Sequence, residues 1–304
     1  MMIKISLKLV RATQEGVVVA QRAVRTYTRY AFYSFRDRKG RQADDNKSAS
    51  VDGPRHSLMY TDVEHFLLSQ WSDNPVPYAV YRTLVAALFF LMVFYTGFYG
   101  VLGYKMFIML TYWSFYVLVA CQILRAVNCW HYVSLKKQGK DIREHLQNKQ
   151  RIKTQWLLHN LSSDGAILVS LLFWTIAYDG SGVTLVNLST HGINAVFVLI
   201  DMMISRTPIR MLHMYQCSCF GLVYMCFSYV YHLCGGTNHK GEPYIYKPLD
   251  YSNLQVAVST ALVSIFLVAP LIHCWVFFVY RFRLFIHRYL KAVERRADHA
   301  EKTQ

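Results

Sequence analysis

Six long apolar stretches punctuate this chain, and the gaps between them alternate between strongly basic and nearly uncharged. The stretches run from about Tyr78 to Tyr104, Met106 to Cys129, Leu157 to Tyr178, Leu185 to Ile204, Met211 to Cys234 and Leu254 to Tyr280. Each is long enough for a helix to cross a hydrocarbon layer of roughly 30 Å, which takes about 20 residues. The runs are continuous and do not alternate, which disfavours strands, and backbone groups in lipid must pair within their own segment. The pattern predicts an all-α integral membrane bundle of six transmembrane helices. A basic, largely disordered segment (residues 1–60) precedes a membrane domain (61–285), and a basic tail (286–304) follows it.

Charge orients the bundle. Of the 33 Lys and Arg residues, only Lys105, Lys240 and Lys247 fall in the gaps on one side. All the others lie in the N-terminal segment, in the second-to-third and fourth-to-fifth gaps, in the C-terminal tail, or, as Arg82 and Arg125, in helix ends facing that same side. The positive-inside rule then predicts that both termini are cytoplasmic. The same distribution disposes of a nucleic-acid reading of the net charge of +15, because the basic residues flank spans and form no single patch. Membrane lipids are the expected partners of these charges. The seven cysteines lie in or at the edges of the apolar stretches, so they imply packing and no disulfide framework.

The first 35 residues are Arg-rich with one acid, Glu15. They read as a poorly ordered tail, an amphipathic surface helix or a transit-like peptide. Residues Gln42 to Arg55 have the composition of a disordered segment. Asp62 is placed to cap a short helix reaching Trp71. The Asn-x-Ser sites at Asn46, Asn160 and Asn187 fall in cytoplasm, in a span or too near the membrane for a glycan to be expected.

Ionisable and strongly polar groups inside spans are costly and so are candidates for function. Thr111 lies five residues into the second helix and His191 six residues into the fourth, both counted from the sparsely charged side. At about 1.5 Å per residue the two share a depth of roughly 7–9 Å. A hydroxyl and an imidazole at one depth form a nucleophile–base pair if their helices touch, or a hydrogen bond between helices if they serve packing. Asn194, one turn beyond His191, could orient it or steady an oxyanion. Toward the basic side, Asp201 and Arg125 are placed for an interhelical ion pair, and Asp164 lies within range of the same arginines. The histidines have no i,i+4 or Glu-x-x-His spacing, so no metal site is expected, and no phosphate loop or nucleophile elbow points to a cofactor. The segment from Gly235 to Asn253 is the longest on the sparsely charged side. It reads as a lid, a contact surface for another membrane protein, or a packed connector.

Several motifs in order carry a family resemblance: Phe66–Leu67–Leu68–Ser69–Gln70–Trp71, Tyr81–Arg82, Phe107 to Trp113, His191–Gly192–Ile193–Asn194, Asp201, Ser205–Arg206–Thr207–Pro208, His213, Tyr231, Gly235–Gly236–Thr237–Asn238 and Leu249–Asp250–Tyr251–Ser252–Asn253. Across residues 60 to 285 the chain resembles the rolling stone family of multi-pass membrane proteins. That resemblance implies a plasma-membrane protein, with the endoplasmic reticulum as the alternative. It also implies a part in cell–cell contact, since the founding member is associated with myoblast fusion. The family is in turn distantly similar to the androgen-induced-gene-1-like membrane hydrolases, which cleave lipid esters with an intramembrane Thr and His. By that likeness Thr111, after Leu110, is the nucleophile and His191, before Gly192, the base of an esterase acting on fatty acyl esters. Trp113 and Ser114 depart from the hydrolase pattern.

Overall fold

In the computed structural model, Leu58 and residues 62–302 are described, apart from 101, 148, 179 and 181. The expectations for the N-terminal 57 residues lie outside the described part. Six long helices dominate the described part. α1 is Pro75–Tyr99 and α2 is Leu110–Lys137. α3 is Gln150–Leu172, carried on by a π turn over Phe173–Ala177. α4 is Leu185–Ile204, with a π turn at Ser189–Ile193. α5 is Met214–Leu233. α6 runs from Leu254–Val263 through a π turn at Ser264–Val268 into Ala269–Lys302.

Local chemistry sets the helix starts. Asn74 accepts the amide of Val76 at 3.1 Å just ahead of Pro75, whose missing N–H costs nothing in a first turn. Thr184 caps α4 through Asn187 N (3.1 Å), and Asn253 caps α6 through Val256 N (3.4 Å). Asp62 caps a 3-10 turn at Val63–Phe66 in the same manner. α2 has no such cap from its own sequence. Lys105 lies in a 3-10 turn, Gly103–Ile108, and the helix proper begins at Leu110, four residues later than the apolar run indicates.

Five of these helices, all but α5, are long and apolar enough to cross a membrane. α5 matches α4 in length, but Tyr215, Gln216, Ser218, Ser228 and His232 dilute its apolar content. α6 outlasts its apolar stretch by more than 20 residues, because nothing in 281–302 breaks a helix: the segment has no Pro or Gly. α2 and α3 lie deepest in the bundle, and α1 and α6 present most of their surface outward. α2 packs between α1 and α3, and α6 packs against α5, α3 and α4.

The main core gathers Phe89, Phe115, Leu118, Val198, Met202 and Val276. A second apolar cluster, of Val63, Phe66, Leu67, Tyr132, Leu146 and Trp156, seals one end under the segment that precedes α1. Fully burying such side chains contributes about 1.5–3 kcal/mol each in water. Between helices in lipid that drive is absent, and close packing and polar pairing matter more.

Candidate functional site

One end of the bundle is organised around Asp201, near the end of α4. Its carboxylate accepts from Arg82 Nη1 of α1 at 2.5 Å, Tyr81 Oη at 3.0 Å and Arg125 Nη1 of α2 at 2.7 Å. Arg82 also donates to Gln122 Oε1 (3.3 Å) and to the Tyr78 hydroxyl, and its guanidinium lies 4.6 Å over the Tyr78 ring. Arg125 donates on to Ser205 Oγ at 2.7 Å, and that hydroxyl donates to Thr207 Oγ1 at 2.8 Å. Arg82, Arg125 and Asp201 are all buried. One carboxylate thus answers two guanidiniums, and tyrosine hydroxyls and rings take up part of the excess positive charge.

The same end closes the C-terminus of α4. A helix leaves its last four carbonyls without partners of its own. Here Asp201 O takes the amide of Ser205 at 2.9 Å, Met202 O takes Arg283 Nη1 of α6 at 2.9 Å, Met203 O takes the Trp71 indole at 2.7 Å and Ile204 O takes Gln70 N at 2.8 Å. Arg283 donates as well to the carbonyls of Ser205 and Thr207, which sets a cation at the negative end of the helix dipole. An antiparallel bridge joins Ser69 to Ser205. Gln155 Nε2 reaches Phe66 O at 2.9 Å, and Trp156 Nε1 reaches Pro208 O at 2.8 Å. The motif residues 66–71, 81–82, 201 and 205–208, far apart in sequence, therefore form one assembly, buried at Arg82, Asp201 and Ser205 and exposed at Trp71.

Asp164 is not part of it. Its Oδ2 lies 2.8 Å from His273 Nδ1 of α6, and His273 Nε2 lies 2.9 Å from the Arg210 carbonyl. A carbonyl only accepts, so Nε2 carries a proton. The Nδ1–Oδ2 contact needs another, shared between imidazole and carboxyl. One turn earlier Asn160 bonds His213 Nδ1 (2.9 Å) and Gln216 Oε1 (2.8 Å) of α5 and its approach.

Of the three residues read as a catalytic set, two lie on elements that touch: the α4 π turn of His191 packs against α2, the helix that holds Thr111. Thr111 lies in the first turn of α2, beside Leu110, whose amide donates to the Tyr246 hydroxyl at 3.1 Å. That phenol supplies the cap the α2 sequence lacks. His191 lies in the α4 π turn, its ring stacked flat on Phe173 with centroids 3.7 Å apart. A π turn frees a carbonyl, and that of His191 takes Ser170 Oγ at 2.5 Å and the Trp174 indole at 3.0 Å. The α6 π turn repeats the device: Ile265 O takes Ser218 Oγ of α5 at 2.9 Å. Asn194 turns its amide to its own helix, Nδ2 on Thr190 O (2.6 Å) and Oδ1 on Ala195 N (2.7 Å). Among the described residues no hydrogen bond joins Thr111, His191 and Asn194. His191 Nδ1 is buried without a partner.

At the opposite end the segment after α5 folds over the helix ends. Lys105 Nζ donates to Tyr231 Oη (2.9 Å) and Thr237 O (2.6 Å), and the bond to Tyr231 raises its pKa. Tyr224 Oη donates to Ile108 O at 2.9 Å. Asn238 holds a tight turn by accepting the amides of Lys240 (2.8 Å) and Glu242 (3.1 Å), and its Nδ2 donates to Glu242 Oε2 at 2.7 Å. That bond heads the causes that hold the Glu242 carboxyl below its ordinary value. Gly236 lies against Tyr231, where a Cβ would come within 2.3 Å of the ring. Ile245 and Leu249 are buried, whereas His239, Lys240 and Gly241 are exposed.

Sequence reasoning assigned Arg82 only to orientation and did not foresee Arg283, Trp71 or Tyr246 as partners. An arginine seven residues into an apolar helix is the one signal that could have pointed to the first of these.

The comparisons with known proteins agree on one family. The family described as "Protein rolling stone" matches residues 45–300. The Protein rolling stone of Drosophila melanogaster is 29 % identical over 252 residues, which span 77 % of this chain and 88 % of that protein. No solved structure matches the chain. The buried assembly at Asp201, the cap at Lys105 and the apolar helices between them are thus those of a multi-pass membrane protein that belongs to the rolling stone family.

Proposed function

We propose that this protein crosses the plasma membrane six times, with α5 as the fifth span and both termini in the cytoplasm, and supports cell–cell contact or myoblast fusion through its outer cap. α5 is counted because it has the length of α4 and packs against α6 and α3. With six spans all the basic gaps share one side, as the positive-inside rule requires. The observation that carries the contact role is the fixed shape of the cap. Lys105, Tyr231 and Tyr246 tie residues 235–253 to the helix ends, and Asn238 shapes the turn that leaves His239, Lys240 and Gly241 at the exposed tip. A preshaped tip loses little freedom on meeting another membrane protein.

The test replaces residues 239–241 with Ser-Gly-Ser and scores fusion between cells whose surface level of the protein is unchanged. Fusion should fall several-fold; fusion at the wild-type level overturns the contact role. A tag inserted after Lys240 should be reached by antibody on intact cells, and a C-terminal tag only after permeabilisation.

A further inference from the structure

We propose that the part of α6 beyond the membrane, from Arg281 to Arg295, is a binding site for the anionic phospholipid headgroups of the leaflet it leaves. The apolar stretch of this helix ends at Tyr280, yet α6 continues to Lys302. The face it turns to the bundle is marked by Arg283, buried on the α4 carbonyls, and by His287, whose ring lies 5.7 Å from that of Trp71. The other face is free. Phe282, Phe285, Tyr289 and Val293 follow at i, i+3, i+7 and i+11, one stripe of a helix, and are 46 to 65 % exposed. Phe285 and Tyr289 lie together, centroids 6.5 Å apart. The stripe continues the outward surface of the span through Phe278.

The charge beside this stripe points to the occupant. Arg281, Arg288 and Arg295 recur every seven residues, so they form one column along its edge, drifting only about 20° per repeat, and all three are exposed. From Arg281 to Val293 there is no acidic residue; the first is Glu294. An exposed aromatic column with arginines on its flank and no carboxylate before Glu294 complements a layer of phosphates over acyl chains. Reach fits as well. Arg288 lies about 10 Å along the helix from Arg281, and the headgroup layer is roughly 5–7 Å deep. The arginine side chain covers the difference by bending back toward the membrane. The membrane role rests on the topology proposed above only for which leaflet is meant.

Native mass spectrometry of the full-length protein in zwitterionic detergent tests the site without reference to topology, so its outcome is independent of the tag experiment. Phosphatidylserine is titrated against phosphatidylcholine. Wild type should hold phosphatidylserine more tightly, and that preference should shrink as salt rises. Arg281→Gln with Arg288→Gln should weaken phosphatidylserine binding about 25-fold, about fivefold per arginine, and leave phosphatidylcholine unchanged. The corresponding double Lys variant should keep most of the preference. Equal binding of the two lipids by wild type, a preference insensitive to salt, or full retention in the Gln variant overturns the proposal. So does a wild-type dimer that becomes monomeric in Phe282→Ser/Phe285→Ser/Tyr289→Ser, because a second copy would then be what covers the stripe. Phosphatidylserine binding by the wild type needs no variant to fold.

Discussion

The two ends of this bundle are fastened by different chemistry. At the Asp201 end the ties are charged and dry: two arginines on one carboxylate, and a third arginine on the carbonyls of α4. At the Lys105 end they are phenols, one half-exposed lysine and a turn folded around Asn238. A buried charge without its partner costs far more than a surface hydrogen bond. The first end therefore behaves as a lock that is whole or broken. The second can be loosened one bond at a time.

Asp201→Asn should have the largest effect. It keeps the shape but leaves Arg82 and Arg125 facing each other with no carboxylate between them. Breaking a buried pair in this way costs about 3–5 kcal/mol. The thermal midpoint of the detergent-solubilised protein should fall sharply, with little protein recovered folded. A loss below about 1 kcal/mol would mean that the cluster is hydrated and does not differ in kind from the other end.

Gly236→Ala comes next and tests whether the cap is close-packed. The added methyl meets the Tyr231 ring, which itself is held by Lys105 and Thr237. Overpacking of this sort costs about 1–3 kcal/mol. Tyr231 can turn aside only by releasing Lys105, so proteolysis in the 235–253 segment should quicken. An unchanged cleavage rate would show that the cap is already loose.

How much of this was legible in the sequence follows from the same contrast. Apolar runs report depth, and they placed the starts of α4 and α6 at Leu185 and Leu254, where caps also stand. They did not report where the backbone begins or stops bonding. Thus α2 starts at Leu110, α3 begins at Gln150 inside a basic stretch, and α6 runs on through 281–302. Asp201 and Arg125 were readable as partners because charge in a span demands an answer. Tyr246 on Leu110 N, Ser170 on the His191 carbonyl and Trp71 on Met203 O were not, because each is a long-range contact between residues that look ordinary alone. The π turns leave no mark in composition. The helices that carry Thr111 and His191 are neighbours, α2 against the α4 π turn, but depth alone could not report the Phe173 ring stacked on His191.

Tyr246→Phe separates capping from packing at the Lys105 end. The ring stays, the hydroxyl goes, and the amide of Leu110 loses its acceptor. The expected loss is about 1 kcal/mol, a shift of a few degrees in the thermal midpoint. Amide exchange should speed up in the first turn of α2 and nowhere in the Asp201 assembly. Exchange that rises at both ends would mean that the two are coupled and the comparison fails.

Acidification should produce the smallest and most local change. The Glu242 carboxyl is held below its ordinary value of 4.5, first by the Asn238 amide and then by the Tyr244 hydroxyl. A depressed carboxylate stabilises the fold above its unfolded pKa, and that contribution disappears as pH falls through the lower folded value. Between pH 7 and 5 the turn should therefore be unchanged. Below the ordinary glutamate range, amide protection at Lys240 and Glu242 should fall, because the protonated carboxyl holds Asn238 less firmly and Asn238 holds both amides. The Glu242→Gln variant should show the looser turn already at pH 7 and no further change on acidification. If wild type and variant lose protection together, the pH response belongs to another group, and the cap is not held bond by bond in the way its geometry indicates.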